Sequence, residues 1–240
     1  MMPDELLNFR HRQCPTSERP LLGITVLMVE DSRFASEAMR LLCLRSGARI
    51  RRAGSLAAAR RHLQIYNPSL AIIDMGLPDG SGAELIAELA RATPRLPVVL
   101  GTSGDDGAFD QAMAAGADGF LAKPVASLAQ FQSEILRHLP DHARPKGPHL
   151  VSDEVIEPDP IALQDDLAHV ADILSVSSDD GLLDYIAQFL RGVARSAGDQ
   201  TLENAAELLA AHRAASDPTH ADVVRLAGMV NARLQTRIVI

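Results

Sequence analysis

Apolar and polar positions alternate in two distinct ways along the first half of the chain. Five short apolar runs of strand length occur there, and a stretch with apolar residues every three or four positions follows each of them. A continuous apolar run is typical of a strand covered on both faces, and the second pattern is typical of an amphipathic helix. The predicted strands are 24–29, 48–53, 70–74, 96–102 and 118–122, and the predicted helices are 32–46, 55–66, 82–92, 107–115 and 127–138.

Strands and helices therefore alternate five times, with short connections between them. This alternation predicts an α/β fold, in which helices cover both faces of a doubly wound, five-stranded parallel sheet. Ser32 is expected to cap the first helix and Gly47 to end it. In sheets of this kind, functional groups lie at the carboxyl ends of the strands.

The second half of the chain has a different pattern. Four amphipathic helices with short connections are predicted there, the first beginning at Asp159 and Pro160 and the last at Asp217 and Pro218. They indicate a small all-α domain of about four helices. The stretch between the two halves is rich in proline and charge, which favours an extended linker. The chain is thus divided into a flexible arm (1–20), an α/β domain (21–140), a linker (141–158) and a helical domain (159–240).

Charged and hydroxyl side chains stand where the predicted strands end. Glu30 and Asp31 follow the first strand, Asp74 ends the third, Thr102 ends the fourth and Lys123 follows the fifth. Three carboxylates on one sheet edge would repel each other, unless a hard divalent cation such as Mg²⁺ binds them. A lysine and a hydroxyl beside such a cation are suited to holding a phosphoryl group.

Four motifs in this half resemble the receiver domain of two-component response regulators. They are "VLMVED", "IIDMGLPDGSG", "PVVLGTSG" and "GADGFLAKP", and their order and spacing match that family over about residues 23–140. The resemblance implies that Asp74 accepts a phosphoryl group from the phosphohistidine of a histidine kinase or a phosphotransfer protein. It also implies that Asp31, Asp74 and the backbone carbonyl of Gly76 bind Mg²⁺, with Glu30 acting through water. Lys123 would pair with the phosphoryl oxygens.

The same resemblance implies a switch. Thr102 would move toward the phosphoryl group and Phe120 would turn inward behind it, and a cis peptide bond would precede Pro124. These shifts would change the face built from the fourth helix, the fifth strand and the fifth helix, because the added charge favours one of two arrangements. The implied protein is a cytoplasmic, bacterial response regulator that switches protein–protein contacts, with no separate output enzyme.

Three glycines depart from the usual receiver pattern. Gly101 stands where a bulky apolar residue is common, and it is expected to leave space in the strand. Gly76 and Gly104 occupy positions where receivers often carry larger side chains that shield the acyl phosphate. We therefore expect water to reach phospho-Asp74 easily, and the phosphoryl state to be short-lived.

The charge distribution bears on the output of the helical domain. Net charge is −8, residues 21–140 hold 12 acidic and 12 basic residues, and residues 151–240 hold 15 acidic and 6 basic ones. An acidic domain argues against DNA binding, which needs a basic footprint. A downstream protein partner is therefore the main hypothesis, and a homodimer stays open.

Two other outputs for the helical domain stay open as alternatives. One is a helix-turn-helix DNA reader within residues 200–235. The other is a phosphorelay bundle that carries phosphate itself, with His169, His212 and His220 as candidate histidines, although none is followed by the usual lysine and glycine.

The remaining composition excludes several classes of protein. Hydrophobic residues make up 47% and charged residues 22%, and no apolar run reaches the roughly 18 residues of a membrane span. Cys14 and Cys43 lack metal-binding or redox spacing, so reduced thiols in the cytoplasm are expected. The charged N-terminal segment does not have the pattern of a secretory signal.

Overall fold

A computed structural model of the 240-residue chain describes residues 14–105, 107–147, 151–176 and 180–236. The α/β half contains a five-stranded parallel sheet and a two-stranded antiparallel hairpin. The strands are β1 (Thr25–Val29), β2 (Arg49–Ala53), β3 (Leu70–Asp74), β4 (Gly76–Leu77), β5 (Gly80–Ser81), β6 (Val98–Ser103) and β7 (Gly119–Ala122). The helices of this half are α1 (Arg33–Ser46), α2 (Leu56–Ile65), α3 (Gly82–Arg91), α4 (Ala108–Ala115) and α5 (Leu128–His138).

The parallel sheet has the strand order β2-β1-β3-β6-β7. Strand β3 lies at its centre and is buried along its whole length, as its unbroken apolar sequence predicts. One apolar cluster joins the sheet to α1 and α5 through residues such as Leu42 and Phe131. A second cluster joins it to α2, α3 and α4 through residues such as Leu56 and Ile86. The predicted doubly wound fold is confirmed.

Helix α1 begins and ends as the sequence predicts. The Ser32 hydroxyl accepts a hydrogen bond of 3.0 Å from the Ala35 amide. Gly47 adopts a φ of 85°, the left-handed conformation that ends a helix and that glycine adopts without strain. The helix therefore starts directly after Glu30 and Asp31, and this fixes both carboxylates at the sheet edge.

The predicted linker is attached to the α/β domain. After a single 3-10 turn at Asp141–Ala143, its last part runs extended beside the start of α5. The Ile156 amide donates 2.8 Å to the Ala126 carbonyl, and the Ile156 side chain is buried in the core beneath α1 and α5. The segment therefore fixes where the helical domain begins. Of the predicted N-terminal arm, residues 1–13 lie outside the described residues.

The described part of the helical domain contains four helices, as predicted. They are α6 (Pro160–Val176), α7 (Asp180–Ser196), α8 (Gln200–Ala214) and α9 (His220–Gln235). Helix α7 packs along α8 and α6 packs along α9, around a core that includes Leu167, Ile186, Leu190, Leu209 and Leu226. The last helix starts later than the predicted Asp217 and Pro218, because Thr219 occupies the cap position.

The two domains pack against each other at the carboxyl edge of the sheet. Helices α6 and α7 contact α1, and α7 also contacts the β4 hairpin strand that follows Asp74. Among the described residues, no helix combines the length and the hydropathy that crossing a membrane requires.

Candidate functional site

The carboxyl edge of the sheet brings together the acidic residues and the lysine that the sequence singled out. Lys123 Nζ lies 2.6 Å from Glu30 Oε2 and 3.0 Å from Asp74 Oδ2. One carboxylate oxygen from each of Glu30, Asp31 and Asp74 lies within 4.8 Å of the other two. Four residues from the ends of three strands therefore form one charged cluster.

Backbone hydrogen bonds of the sheet hold this cluster in place. The Glu30 amide donates 2.9 Å to the Ala53 carbonyl, and the Lys123 amide donates 2.9 Å to the Ser103 carbonyl. The Lys123–Pro124 peptide bond is cis, as the resemblance implies. Helix α3 begins so close to Asp74 that a Cβ atom on Gly82 would collide with the Asp74 carbonyl. Glycine is therefore needed there for the helix to approach the strand end.

Burial shifts the protonation of the whole cluster. Removal from water raises the pKa of Asp74 to about 7 in spite of Lys123, and the Glu30 carboxylate adds to this shift. Burial likewise raises the pKa of Asp31 to about 6, against the hydrogen bond from Tyr185, and it raises the pKa of Glu30. Burial opposes the charged form of Lys123, but Asp74 and Glu30 outweigh it and raise the pKa of the ammonium group. One lysine does not balance three carboxylates, so a further positive charge would be stabilised here.

The donor set fits a hard divalent cation. The donor atoms are carboxylate oxygens, the ligands that Mg²⁺ prefers. Mg²⁺ commonly binds one or two protein carboxylates and completes its coordination with water and phosphate oxygens. Gly76, whose carbonyl the sequence predicts as a further ligand, lies two residues after Asp74 at the start of the hairpin, and its amide faces Asp74 Oδ1 at 3.5 Å.

The two predicted switch residues lie beside the cluster. Thr102 is fully buried, and its hydroxyl donates 2.7 Å to the Leu121 carbonyl. Phe120 is half-buried and packs edge-to-face on Phe109, with 5.8 Å between the ring centroids. Their movement on phosphorylation stays a prediction.

The expectation about Gly101 is wrong. A Cβ atom there would be 2.7 Å from Ala112, so this glycine permits close packing of α4 and leaves no empty space.

The helical domain supplies side chains that the sequence analysis missed. The Tyr185 hydroxyl donates 2.6 Å to Asp31 Oδ2. Gln188 lines the cavity above Asp74, Arg191 forms an ion pair of 3.0 Å with Asp105, and Arg195 donates to the Gly104 carbonyl. No local sequence pattern marks these residues, because each contacts a partner more than 80 positions away in the chain.

The expectation of open space above two other glycines is therefore contradicted. A Cβ atom on Gly76 would collide with the Gln188 amide, and one on Gly104 would lie 3.4 Å from Arg195 Cδ. Side chains of α7 therefore lie where open space was expected. The predicted short phosphoryl lifetime is untested, but its premise of free water access does not hold in this structure.

Two more polar residues support the site from positions that the sequence analysis did not consider. Arg52, on β2, donates 3.0 Å from Nε to the Glu30 carbonyl and 2.5 Å from a terminal nitrogen to the Asp31 carbonyl. Asp166, on α6, accepts hydrogen bonds from the Ser32 hydroxyl and from two amides of the first turn of α1. They fix the segment that carries the first two carboxylates.

None of the three candidate histidines of the helical domain lines the cavity that contains Asp74, although His169 lines a second cavity together with Asp31 and Tyr185. His212 Nδ1 is 2.6 Å from Asp222 Oδ2, and His169 packs edge-on against Phe189 at 6.3 Å between centroids. His220 is exposed at the start of α9.

A family model described as "Response regulator receiver domain" matches residues 26–135. Residues 26–135 are a response regulator receiver domain. The match begins within β1, ends within α5, and contains every residue of the charged cluster. The family predicted from the four sequence motifs is thereby confirmed for this part of the chain.

Curated relatives of the receiver domain include transcriptional regulators. The chain is 30% identical over 123 residues to the KDP operon transcriptional regulatory protein KdpE of Escherichia coli K12, a match that covers 51% of this chain and 54% of that protein. It is 34% identical over 106 residues to the transcriptional regulatory protein DpiA of the same strain, covering 43% of this chain and 47% of DpiA. The chain spans about half the length of the curated relatives it matches.

Solved receiver structures are also similar to this chain. The signal receiver domain of a signal transduction histidine kinase from Syntrophus aciditrophicus is 24% identical, with a TM-score of 0.45, and the match covers 54% of this chain and 99% of that one. A CheY-like receiver domain protein from Methanospirillum hungatei JF-1 is 21% identical, with a TM-score of 0.42 and coverage of 47% and 90%.

Proposed function

We propose that this protein is a cytoplasmic response regulator of a two-component phosphorelay, in which Asp74 is the phosphoacceptor. The observation that carries the proposal is the position of Lys123 Nζ, 3.0 Å from Asp74 Oδ2, inside a cluster of three converging carboxylates. A buried carboxylate beside an ammonium group and an acidic cation site is suited to holding the charge of phosphoryl transfer.

The chemistry assigns a role to each side chain. An Asp74 carboxylate oxygen attacks the phosphorus of a phosphohistidine, the phosphorus–nitrogen bond breaks, and the imidazole nitrogen leaves and takes up a proton. The product is an acyl phosphate on Asp74. The Lys123 ammonium group lies within reach of the transferring oxygens and balances their charge, and the Thr102 hydroxyl exchanges its bond to the Leu121 carbonyl for one to the phosphoryl group.

Mg²⁺ would be held by Asp31, Asp74 and the Gly76 carbonyl, with Glu30 acting through water. When bound, it supplies positive charge to the phosphoryl oxygens. The chain's own part is to orient these oxygen donors and to exclude bulk water, since Glu30 is fully buried and Asp74 is 7% exposed.

We further propose that the output of the helical domain is a protein contact, and neither DNA binding nor an enzymatic reaction. Within the described part of the helical domain, every arginine is paired with an acid: Arg191, Arg195, Arg213, Arg225 and Arg233. Phosphate backbones need cations that are free to replace counterions. A gel-shift experiment with fragmented genomic DNA, run with and without beryllofluoride, should therefore show no sequence-specific complex.

Intact-mass spectrometry of the full-length protein with acetyl phosphate tests the assignment. We expect the mass of one phosphoryl group to be added when Mg²⁺ is present, and no addition with EDTA or with Asp74→Asn. The matched control is Asp79→Asn, which changes an aspartate of the same loop that caps α2. Equal modification of wild type and Asp74→Asn would contradict the proposal.

A further inference from the structure

Helix α7 lies across the acidic cluster that contains Asp74. The cavity that remains between α7 and Asp74 has a volume of about 30 Å³ and is lined by Gln188, Phe189 and Arg191 together with the acidic cluster. This is room for roughly two waters. The imidazole ring of a phosphodonor and the phosphoryl group that it carries need considerably more.

Tyr185 occupies a carboxylate oxygen of the cation site. Its hydroxyl donates to Asp31 Oδ2 at 2.6 Å, which is the length of a charge-assisted hydrogen bond. A phenol is un-ionised at neutral pH and can therefore donate this hydrogen bond. The bond offsets part of the charge that a cation would otherwise balance. Tyr185 and the cation therefore compete for Asp31.

Side chains of α7 contact the receiver domain at two separate loops. The Gln188 side chain fits because Gly76 has no Cβ atom, and Arg195 lies against Gly104 at 3.4 Å from a Cβ atom placed there. A Cβ atom at Gly76 would displace the flexible end of the Gln188 side chain. Receiver and helical domain are thus complementary in shape directly above Asp74.

A second anchor holds the helical domain beside the site. Asp166 is 3% exposed and accepts three hydrogen bonds at the start of α1: 2.8 Å from the Ser32 hydroxyl, 2.8 Å from the Arg33 amide and 3.0 Å from the Phe34 amide. A carboxylate at a helix N-terminus satisfies amides that have no partner within the helix. Because Asp166 is on α6, two helices of the domain, α6 and α7, bond to the segment that contains Asp31.

We propose that α7 is a built-in cover of the phosphorylation site, and that docking of the helical domain and phosphorylation of Asp74 exclude each other. Cation binding at Asp31 displaces Tyr185, the helical domain leaves, and the phosphodonor then reaches Asp74. The face of α7 that carried the contact becomes free for a partner. This inference rests on the proposed function, because it names the regulation of the same site.

Tyrosine fluorescence can report whether α7 is docked on the receiver domain, because the protein contains two tyrosines and no tryptophan. In a Tyr66→Phe background, Tyr185 is the sole tyrosine. A phenol that donates to a carboxylate emits weakly, so we expect its emission to rise on addition of Mg²⁺ and beryllofluoride. Unchanged emission at concentrations that calorimetry shows to be saturating would overturn the proposal.

Calorimetric titration measures the Mg²⁺ affinity of two variants, Tyr185→Phe and Tyr66→Phe, which each lose one tyrosine hydroxyl. Tyr185→Phe should bind Mg²⁺ roughly tenfold more tightly than wild type, since one hydrogen bond to a charged group no longer opposes the cation. Tyr66→Phe, remote from the site, should bind it as wild type does. Equal affinity in all three proteins would contradict the competition.

Hydrogen exchange of the wild-type protein needs no variant at all. Peptides within residues 181–196 should exchange faster with Mg²⁺ and beryllofluoride than with EDTA, while β3 remains protected. Unchanged exchange in α7 would contradict the cover.

Failure of the proposed function would look different. In that case neither wild type nor Tyr185→Phe would gain a phosphoryl group on Asp74, although the difference in Mg²⁺ affinity between them persisted. If only the proposal about α7 is wrong, Asp74 would still be phosphorylated. Tyrosine emission and hydrogen exchange in α7 would then not respond to the phosphoryl mimic, and Mg²⁺ affinity would not respond to Tyr185→Phe.

Discussion

The Tyr185 hydroxyl donates a hydrogen bond to Asp31 Oδ2 across 154 positions of sequence. Asp31 stands at the end of the first strand of the receiver domain, and Tyr185 stands on the second helix of the helical domain. The two domains are therefore joined at the acidic cluster itself. A change of charge at this cluster reaches the helical domain through one direct contact.

Replacement of Lys123 by methionine should destabilise the fold as well as the site. The Lys123 ammonium group is the cation 2.6 Å from the fully buried Glu30 carboxylate, and its removal leaves buried acids without that partner. We expect a loss of about 3 kcal/mol in the free energy of unfolding at pH 8 in EDTA. The loss should be smaller at pH 5, which lies below the raised pKa of Asp74, about 7, and that of Asp31, about 6. Urea denaturation measures both values.

The chain offers a matched control for that change, because its other lysine is the exposed Lys146. Lys146→Met should alter the free energy of unfolding by less than about 0.5 kcal/mol. A similar loss in both variants would mean that the buried cluster is not the reason.

Stability and Mg²⁺ affinity should depend on pH in opposite directions. Folding raises the pKa of Asp74 from 3.8 to about 7 and that of Asp31 from 3.8 to about 6. Between about pH 4 and pH 7 the folded protein therefore binds more protons than the unfolded chain, so the metal-free protein loses stability as pH rises through that window. Mg²⁺ requires deprotonated carboxylates, so its affinity rises over the same window.

Thermal unfolding in EDTA and in Mg²⁺, at a series of pH values from 5 to 8, measures both effects together. The two melting curves should lie close together at pH 5 and separate progressively toward pH 8. A stabilisation by Mg²⁺ that is independent of pH would be inconsistent with these shifted carboxyl groups.

Two adjacent aspartates on α6 should differ sharply in their contribution to stability. Asp166 is buried and accepts three hydrogen bonds from the start of α1, whereas Asp165 forms an exposed ion pair with Arg33. Asp166→Ala should lower the free energy of unfolding by about 2 kcal/mol, because amides of α1 lose their cap. Asp165→Ala should change it by less than about 0.5 kcal/mol. Similar values for the two would refute the anchor.

Gly76 and Gln188 should be energetically coupled. Gly76→Ala brings its new Cβ atom against the flexible end of the Gln188 side chain, which has to move, and should cost about 1 kcal/mol of stability. Adding Gln188→Ala should recover most of this loss, which a double-mutant cycle detects. Gly107→Ala is the control, since a Cβ atom at Gly107 meets no atom within 4 Å. Strict additivity of the two changes would show that the side chains do not touch.

The fold and the acidic cluster were predictable from the sequence for one physical reason. Local periodicity gives the strands and helices, and parallel topology then places the ends of the strands at one edge. Glu30, Asp74 and Lys123 meet there although 93 positions separate the first from the last. The four helices of the second half follow from the same kind of local pattern.

What could not be predicted depends on contacts between distant segments. A glycine at position 76 is compatible with open solvent and also with an incoming side chain, and local sequence does not distinguish the two. The structure shows Gln188 there. Tyr185 and Asp166 were missed for the same reason, because their partners lie 154 and 134 positions away in the chain. Arg52 was missed because its partners lie at the end of the neighbouring strand, 22 and 21 positions away. The two-residue strands β4 and β5 are too short to have a pattern.

The most direct measurement of the central claim is the position of the phosphoryl group. Full-length protein is incubated with acetyl phosphate and Mg²⁺ and then reduced with sodium borohydride, which converts an aspartyl phosphate to homoserine, and the peptides are sequenced by mass spectrometry. The account predicts homoserine at Asp74, dependent on Mg²⁺, with Asp31 and Glu30 unchanged. Homoserine at another position, or at none, would contradict it.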